Sequence, residues 1–364
     1  MILFAQTSES FNNRCRVSRG VFLLIYPLVS VLIVNWNGKH HLGECLGSLF
    51  AQDFRSFEVI MVDNASQDGS VDYVREHFPE VKIKVLPENR GFAGGNNEGI
   101  RISSGKYLAL VNNDTKTERS WLEYLFEEAE KSPQSIGMWA CKILSYDDPR
   151  IIDNVGLLIY PDGLGRGKGR LEPDRGQYDQ KGEALFPSGC AGFYRRKMMD
   201  EIGLFDEKFF AYADDVDMGL RARIAGWGCM YVPAAKVYHK YSSSSSAYSP
   251  LKAFLVERNR IWVMLKYFPL ELILASPYFT CKRLAIHLYG ALTGRGASGR
   301  FSERHSVWRA AIILLKAWCS ALREFRQIVR DRHACLQLRR IGRSEFYRLI
   351  HTFGISAYEI GLKD

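Results

Sequence analysis

The sequence predicts an α/β fold in which a mainly parallel sheet is covered by helices on both faces. Three observations support this prediction. Short apolar runs alternate with segments of helical periodicity between residues 29 and 111. The runs are rich in β-branched residues and nearly continuous in hydrophobicity, as strands buried on both faces require. With 364 residues, of which 47% are hydrophobic, the chain is also long enough to bury a sizeable core.

The elements follow one another as strand, helix, strand, helix, strand, helix and strand. Strands are predicted at 29–38, 57–66, 81–87 and 106–111, and helices at 41–52, 70–78 and, after a loop that starts at residue 89, up to residue 103. A short helix is predicted to end at Gly226, and a further strand to end just before His239. The glycine-rich segment 163–169 is predicted to be a surface loop. The residues after it contain Pro173 and lack the helical face that a dinucleotide loop would need.

Polar clusters follow three of the predicted strands. These clusters are Asn35-Trp36-Asn37, Asp63-Asn64-Ala65-Ser66 and Asn112-Asn113-Asp114. Each alone would be no more than a turn, since Asn and Asp are frequent turn residues. Parallel strands place their carboxyl ends at one edge of the sheet, where ligands bind in folds of this class, so the three together favour a site. Gly94 and Gly95, which lead into a helix, would let the backbone approach a nucleotide or phosphate closely.

A second group of carboxylates begins the short helix near residue 214. Asp214, Asp215 and Asp217 occur within four positions, whereas helix capping needs only one aspartate. The positive end of the helix dipole would keep a carboxylate ionised, as a general base at neutral pH requires. His239 alone would more often be structural, but beside Asp114 it could complete a metal site. The five serines Ser242 to Ser246 are predicted to form a flexible loop.

The charge of the chain is divided unevenly. Residues 251–364 contain 20 Lys and Arg against 8 Asp and Glu, whereas the rest of the chain contains 29 against 32. A polyanionic partner therefore belongs to the C-terminal part, and without a nucleic-acid-binding motif we expect a membrane rather than nucleic acid. The eight cysteines are scattered singly, which favours a reducing cytosol. Residues 1–28 are predicted to be an extension of unknown role.

The motifs resemble those of family 2 glycosyltransferases, and most closely the bacterial rhamnosyltransferase-like branch. The resemblance covers about residues 29–265 and rests on seven ordered motifs, namely VSVLIVNWNG, VDNASQDGS, ENRGFAGGNNEGI, LVNNDT, FFAYADDVDMGLRARIAGW, YVPAAKVYH and RNR. It implies a GT-A fold, a nucleotide-diphosphate-sugar donor and a divalent cation, Mg²⁺ or Mn²⁺. It also implies a catalytic domain at 29–250, followed by a basic helical region at 251–364.

The resemblance assigns roles to individual residues. Asp114 matches the metal-binding aspartate of the family, His239 its additional metal ligand and Asp215 its catalytic base, while Asn112 stands where many relatives have another aspartate. The residues expected near the donor are Asn35 and Trp36 around the base, Asp63 at the pyrimidine or ribose, Asn89, the loop of Gly94, Gly95 and Asn96, and Asn112 and Asn113. The residues expected on the acceptor side are Asp214, Asp217 and Trp227.

The reaction implied by the resemblance is an inverting sugar transfer to a hydroxyl of a glycan or lipid-linked acceptor in surface polysaccharide synthesis. The favoured donor is dTDP-L-rhamnose, with UDP-sugars such as UDP-galactofuranose as the alternative. Two other functions remain open at this stage. A transferase that uses a polyprenyl phosphate would not need a strong base, and a non-catalytic nucleotide-sugar-binding protein would need neither base nor metal residues.

The basic C-terminal region offers two interpretations. Apolar residues recur at helical spacing between 306 and 340, at Trp308, Ile312, Leu315, Trp318, Cys319 and Leu322, and arginines become frequent towards the end. This pattern suits a helix in an anionic membrane surface and a protein at the cytoplasmic face of the plasma membrane. The same helix could instead pack on the sheet or on a second subunit of a homo-oligomer. The apolar segment 267–292 is interrupted by charges and Pro277, so no membrane-spanning helix is expected.

Overall fold

The structure, a computed structural model, describes residues 27–240, 249–304 and 306–363. The strands are β1 Val29–Asn35, β2 Phe57–Asp63, β3 Lys82–Val85, β4 Tyr107–Val111, β5 Thr115–Thr117, β6 Ile136–Ser145, β7 Ile152–Asn154, β8 Leu157–Ile159, β9 Gly165–Gly167, β10 Gly182–Glu183, β11 Ala191–Arg195 and β12 Gly228–His239. Almost all of the predicted N-terminal extension and the predicted loop of Ser242 to Ser246 lie outside the described residues.

Thirteen helices accompany these strands in the described part of the chain. They are α1 Lys39–Phe50, α2 Ser70–His77, α3 Gly91–Ile102, α4 Trp121–Lys131, α5 Arg196–Ile202, α6 Asp214–Ile224, α7 Pro250–Tyr267, α8 Leu270–Thr293, α9 Gly296–Arg304, α10 Val307–Arg323, α11 Phe325–Gln337, α12 Arg343–Thr352 and α13 Ala357–Leu362. A single 3₁₀ turn at Glu207–Phe209 precedes α6.

The main sheet has the order β10-β12-β6-β11-β4-β1-β2-β3. Strands β4, β1, β2 and β3 run parallel, as do β6 and β12, while β11 is antiparallel to its neighbours β4 and β6. The predicted α/β class with a mainly parallel sheet is confirmed. Asn35 is paired with Asp63 at the ends of β1 and β2, so the two polar clusters do meet at one edge.

Two local predictions are wrong. The predicted loop at 94–96 is the second turn of α3, which begins at Gly91. The glycine-rich segment 163–169 contains β9, which forms a two-stranded antiparallel sheet with β8 rather than a surface loop. In both cases glycine permits close packing: a Cβ on Gly95 would lie 2.6 Å from a methyl group of Val34, and one on Gly165 would lie 2.5 Å from a methyl group of Val216.

The sheet is buried on both faces. Along β1, Val31 and Ile33 contribute to one hydrophobic core and Leu32 to the other, which explains the continuous apolar character of the strand. The core that contains Leu32 extends into the C-terminal region, where it includes Trp262 and Tyr267 of α7. The predicted boundary at residue 250 therefore does not separate two cores.

The C-terminal region is helical, as predicted, but its helices are shorter. The predicted helix at 306–340 is divided into α10 and α11 at Glu324. One face of α10 is buried at Ile313, Ala317 and Ala321 and packs on α7. In the described ranges, no helix is both long and apolar enough to cross a membrane.

Candidate active site

A network of hydrogen bonds joins the polar ends of β1, β2 and β4. The Nδ2 of Asn35 donates to Asp63 Oδ1 at 3.1 Å and to Ser66 Oγ at 3.2 Å, and its Oδ1 accepts a bond of 2.7 Å from Asn113 Nδ2. The backbone N–H of Ser66 donates to the other Asp63 oxygen at 2.9 Å. Beside this buried network Trp36 is 48% exposed. The carboxyl ends of these strands thus form a hydrogen-bonded polar cluster with an accessible aromatic residue next to it.

Asp114 and His239 meet at the same edge of the sheet. Asp114 precedes β5, whose first residue Thr115 is paired with His239 at the end of β12. The Nε2 of His239 lies 3.5 Å from Asp114 Oδ1, while its Nδ1 lies 2.7 Å from Asp153 Oδ2. Arg170 donates to the second oxygen of Asp153 at 2.8 Å. Asp153 therefore fixes the orientation of the imidazole, whose Nε2 faces Asp114.

The carboxylate of Asp215 is held at the N-terminus of α6. Its Oδ2 accepts a bond of 2.9 Å from the N–H of Gly189, and its Oδ1 one of 2.8 Å from the N–H of Val216. The next residue, Cys190, accepts a bond of 2.9 Å from the N–H of Asn112. The loop before β11 therefore connects Asp215 to the polar cluster that contains Asp114.

The pKa values of the two adjacent aspartates at this helix end are raised. Burial raises the pKa of Asp215, and the N–H groups of Gly189 and Val216 compensate for only part of this effect. Burial raises the pKa of Asp214 well above its usual value, and the neighbouring charges of Asp215 and Asp217 add to the effect. Asp215 is partly exposed whereas Asp214 is buried. A partly exposed carboxylate with a raised pKa is suited to accept a proton near neutral pH.

Two protein-family models match the part of the chain that contains this site. The model of "Glycosyl transferase family 2" matches residues 30–203, and that of "Glycosyl transferase family group 2" matches residues 169–323. Together they span residues 30–323, which include every element of the site. The chain is a family 2 glycosyltransferase. This is the family that the motifs of the sequence predicted, and the chain is an enzyme of this class.

Curated relatives of this family 2 glycosyltransferase include an N-acetylglucosaminyl-diphospho-decaprenol L-rhamnosyltransferase of Mycobacterium tuberculosis. It is 26% identical over 276 residues, which cover 65% of this chain and 86% of that protein. The O-antigen biosynthesis protein RfbC of Myxococcus xanthus is 24% identical over 231 residues, which cover 61% of this chain and 18% of that protein.

A solved structure confirms the GT-A fold. GalNAc-T7, determined with UDP, GalNAc and Mn²⁺, superposes with a TM-score of 0.55 at 16% sequence identity. The match covers 67% of this chain and 49% of that protein. At this identity the similarity concerns the fold alone, and the roles of individual residues depend on the geometry of the site itself.

Asp114 and His239 could hold a divalent cation if the diphosphate of a bound donor supplies further ligands. Asp114 and His239 provide one oxygen and one nitrogen 3.5 Å apart, close to the ~3 Å between adjacent ligands of an octahedral ion with bonds of about 2.1 Å. Across the described ranges no three His, Cys, Asp or Glu side chains form a metal-binding group. Diphosphate oxygens and water would have to supply the other ligands.

Some of the residues predicted to contact the donor are inaccessible. Asn35 is fully buried, and its amide is used by the hydrogen bonds of the network, so the prediction that it lines the base pocket is wrong. Gly94, Gly95 and Asn96 are buried within α3, where Asn96 Nδ2 donates to the carbonyl of Phe92 at 2.9 Å. They support the packing of the helix and do not form a loop around a phosphate.

The remaining residues predicted near the donor stay candidates. Asp63 is buried at the sheet edge, and Asn112 is partly exposed there. Asn113 is buried and donates to Asn35. Asn89 is partly exposed, and its Oδ1 accepts a bond of 2.8 Å from the N–H of Gly91 at the start of α3.

The three residues predicted on the acceptor side are buried. Asp214, next to Asp215 at the start of α6, stays a prediction, whereas the positions of Asp217 and Trp227 do not fit an acceptor contact. Asp217 is fully buried in an ionic cluster, where its Oδ1 lies 2.5 Å from Lys266 Nζ and 2.6 Å from the hydroxyl of Tyr267. Trp227 precedes β12 at the opposite edge of the sheet, where Gly228 is paired with Ile136. Inside the protein, the charge of Asp217 is balanced by Lys266, because a buried carboxylate without a partner would be strongly destabilising.

Three residues of the site received no role from the sequence, although Asn259 belongs to the RNR motif. Asp153 supports His239, Gly189 provides a backbone donor to Asp215, and Asn259 of α7 donates to the segment before α6. A sign of Asp153 is its position in the apolar segment IIDNVGLLIY, where an unpaired carboxylate would be unfavourable. Gly189 acts through its backbone and gives no such signal.

Proposed function

We propose that this glycosyltransferase inverts the anomeric centre of a nucleotide-diphosphate sugar by single displacement onto an acceptor hydroxyl. The observation that carries the proposal is the carboxylate of Asp215, which is oriented by Gly189 and tied through Cys190 to the cluster containing Asp114. The proposed base and a candidate metal ligand are thus linked through the loop before β11. Holding both substrates in line there would supply much of the rate enhancement.

Asp215 removes the proton of the acceptor hydroxyl as its oxygen attacks the anomeric carbon. The new bond forms on the face opposite the nucleotide, while the bond between the anomeric carbon and the diphosphate oxygen breaks. The nucleoside diphosphate departs with the bonding electrons. Asp114 and His239 would hold Mg²⁺ or Mn²⁺, which when bound acts as a Lewis acid towards the departing diphosphate.

The proposed donor is dTDP-L-rhamnose. Its support is the overall similarity to a protein named as an L-rhamnosyltransferase, which extends over 65% of this chain. The exposed ring of Trp36, at the edge of the polar network, is proposed to contact the base. A UDP-sugar, such as UDP-galactofuranose, is the alternative donor, since a pocket for a pyrimidine base accepts both nucleotides with small changes.

The proposed acceptor is a hydroxyl of a lipid-linked glycan used in surface polysaccharide synthesis. The names of the two relatives support this class, because one acts on an N-acetylglucosaminyl-diphospho-decaprenol and the other belongs to O-antigen biosynthesis. Transfer to a polyprenyl phosphate is less well supported, since phosphate is already a nucleophile and would not need Asp215. A non-catalytic binding protein would need neither Asp215 nor the pair of Asp114 and His239.

A donor panel would test the proposed function directly. The full chain would be melted with dTDP-L-rhamnose and with UDP-sugars, each in Mg²⁺, in Mn²⁺ and in chelator. A ligand at ~100 times its dissociation constant adds about 2.7 kcal/mol to the free energy of unfolding. We expect a metal-dependent rise in melting temperature with dTDP-L-rhamnose. Stabilisation by UDP-sugars alone would identify a UDP-sugar as the donor instead of dTDP-L-rhamnose. No stabilisation by any of these nucleotide sugars would contradict the transferase proposal.

The exposed face of α10 supports a peripheral membrane location at the cytoplasmic face. Trp308, Leu315 and Leu322 are 81%, 61% and 64% exposed, on the side opposite the one that packs on α7. Arg309, Lys316 and Arg323 follow one another at intervals of seven residues along one flank of this apolar stripe. Aromatic and aliphatic side chains beside a row of cations match an anionic bilayer surface.

Vesicle sedimentation would test the membrane location. The full chain should bind vesicles of phosphatidylglycerol and phosphatidylcholine, and Leu315→Ser with Leu322→Ser should reduce binding at least tenfold. Vesicles of phosphatidylcholine alone should bind weakly because they lack the negative charge. If the variant instead converts a dimer into a monomer in ultracentrifugation and still binds vesicles, the face joins two copies of the chain and the membrane proposal is wrong.

A further inference from the structure

The segment between the 3₁₀ turn and α6 has an unusual backbone. Phe210, Tyr212 and Ala213 have φ angles of 63°, 66° and 59°, in the left-handed region that residues with a Cβ rarely adopt. Such conformations are unfavourable, and they persist only where the surrounding structure holds them in place. The segment leads directly into Asp214 and Asp215, so its path determines where the proposed base is located.

Asn259 binds this segment from the middle of α7. Its side chain is fully buried. Its Nδ2 lies 3.0 Å from the carbonyl oxygen of Phe209, 3.0 Å from that of Ala211 and 2.7 Å from that of Tyr212. The two N–H groups of the amide are therefore shared among three carbonyl groups of the segment. No apolar side chain of similar size could replace these bonds, and the three carbonyl groups would each lose a side-chain donor.

Neighbouring groups fix the orientation of the Asn259 amide. Arg258 donates from Nε to Asn259 Oδ1 at 2.8 Å, and from its NH2 group to the carbonyls of Lys208 at 3.1 Å and Phe209 at 3.2 Å. On the other side of the segment, the carbonyl of Phe210 accepts a bond of 3.3 Å from the N–H of Ala93 in α3. The segment is thus held between α7 and the start of α3.

We propose that Asn259 is a positioning residue for Asp215. The amide donates to three carbonyl groups of an unfavourable backbone segment. This segment leads to Asp215, whose carboxylate accepts a bond from the N–H of Gly189. The inference rests on the proposed role of Asp215 as the base. It also implies that α7, a helix of the basic C-terminal region, positions the proposed base.

The substitution Asn259→Asp tests the proposal with almost no change in volume. A carboxylate would face three carbonyl oxygens and could not donate to them, so the segment should move. A displacement of about 1 Å at a reacting group can lower turnover about 100-fold. We expect kcat for release of nucleoside diphosphate from the donor to fall between tenfold and about 100-fold, while the dissociation constant of the donor changes less than about twofold. Water can serve as acceptor in this assay.

A double-mutant cycle separates positioning from general destabilisation. In the Asp215→Asn background, Asn259→Asp should lower kcat less than about twofold further, because the base that it positions is already absent. If the two substitutions instead lower kcat independently, so that their fold-changes multiply, the inference is wrong. If Asp215→Asn alone has the activity of the parent protein, the base is misassigned and the proposed function fails instead.

Two further variants keep the test decisive. Asn259→Ala removes the donors without adding a charge, and it should show the same selective loss of kcat if Asn259→Asp does not fold. Glu257→Gln is the matched control on the same helix, since Glu257 is buried but bonds to Arg260 and Arg283 instead of the segment. The control should lower the melting temperature with kcat changed less than about twofold. An equal loss of kcat in the control would contradict the proposal.

Discussion

The carboxylate of Asp215 has both a fixed orientation and a raised pKa. Two backbone N–H groups fix its oxygens, while burial opposes its charge. We predict that Asp215→Asn, which keeps the shape of the side chain, lowers kcat by about 10²–10⁴-fold, the range typical of a lost general base. The dissociation constant of the donor should stay unchanged in calorimetry. Wild-type turnover by this variant would assign the base elsewhere.

The raised pKa of Asp215 also predicts a pH dependence. The base must be ionised to accept a proton, so kcat should fall as the pH drops through the pKa of Asp215. Since burial raises that pKa above the ordinary value of an aspartate, the acidic limb should lie at higher pH than a solvent-exposed carboxylate would give. The limb should be absent from the residual activity of Asp215→Asn. An identical acidic limb in that variant would identify another titrating group.

Asp153 is predicted to act on the metal ion through His239. The bond of 2.7 Å to Nδ1 fixes the ring and leaves Nε2 directed at Asp114. Loss of such a supporting carboxylate typically weakens metal binding 10- to 100-fold. We therefore expect Asp153→Asn to raise the dissociation constant of Mn²⁺ by this factor in the presence of nucleoside diphosphate, measured by electron paramagnetic resonance. Asp148→Asn, in an exposed pair with Arg150, is the control and should have no effect.

The contact between α3 and β1 determines packing at the scale of an element. A Cβ on Gly95 would lie 2.6 Å from a methyl group of Val34, whereas one on Gly47 in α1 would meet nothing within 4 Å. We predict that Gly95→Ala lowers the free energy of unfolding by about 1–3 kcal/mol through overpacking. The matched variant Gly47→Ala should raise it by about 0.5–1 kcal/mol, because Gly is unfavourable in helix interiors. Denaturant titration of both variants measures the difference, and equal effects would contradict the packing argument.

The elements that the sequence predicted well are those whose periodicity reflects burial. Strand β1 is apolar on both faces because two cores cover it, and α1 has its buried residues at helical spacing. The glycines of α3 misled the sequence interpretation for a physical reason. A glycine that allows a helix to approach a strand and one that allows a backbone to approach a ligand have the same local sequence. Only the position of Val34 distinguishes them.

Prediction of the site was limited in the same way. Asp114, His239 and Asp215 follow from local motifs at strand and helix ends, and the structure brings the first two together. Asp217 belongs to the same local motif, yet it is bound to Lys266 and Tyr267 of α7, about fifty residues later in the chain. Contacts of this kind depend on how the C-terminal helices fold back, which no local pattern records.

The shared core makes a prediction about the whole molecule. Trp262, Val263, Tyr267 and Phe268 contribute to the same core as Leu32 of β1, and full burial of such a side chain is typically worth about 1.5–3 kcal/mol. Their sum is comparable to the ~5–15 kcal/mol by which whole domains are stable. We therefore expect a chain that ends at residue 249 not to fold, and the full chain to unfold in one calorimetric transition. Leu322→Ser, on the exposed face of α10, should leave that transition within a few degrees of the parent. Two separate transitions, or a folded chain of residues 27–249, would show that the C-terminal helices form an independent unit. Asn259 would then lack a fixed position from which to orient Asp215.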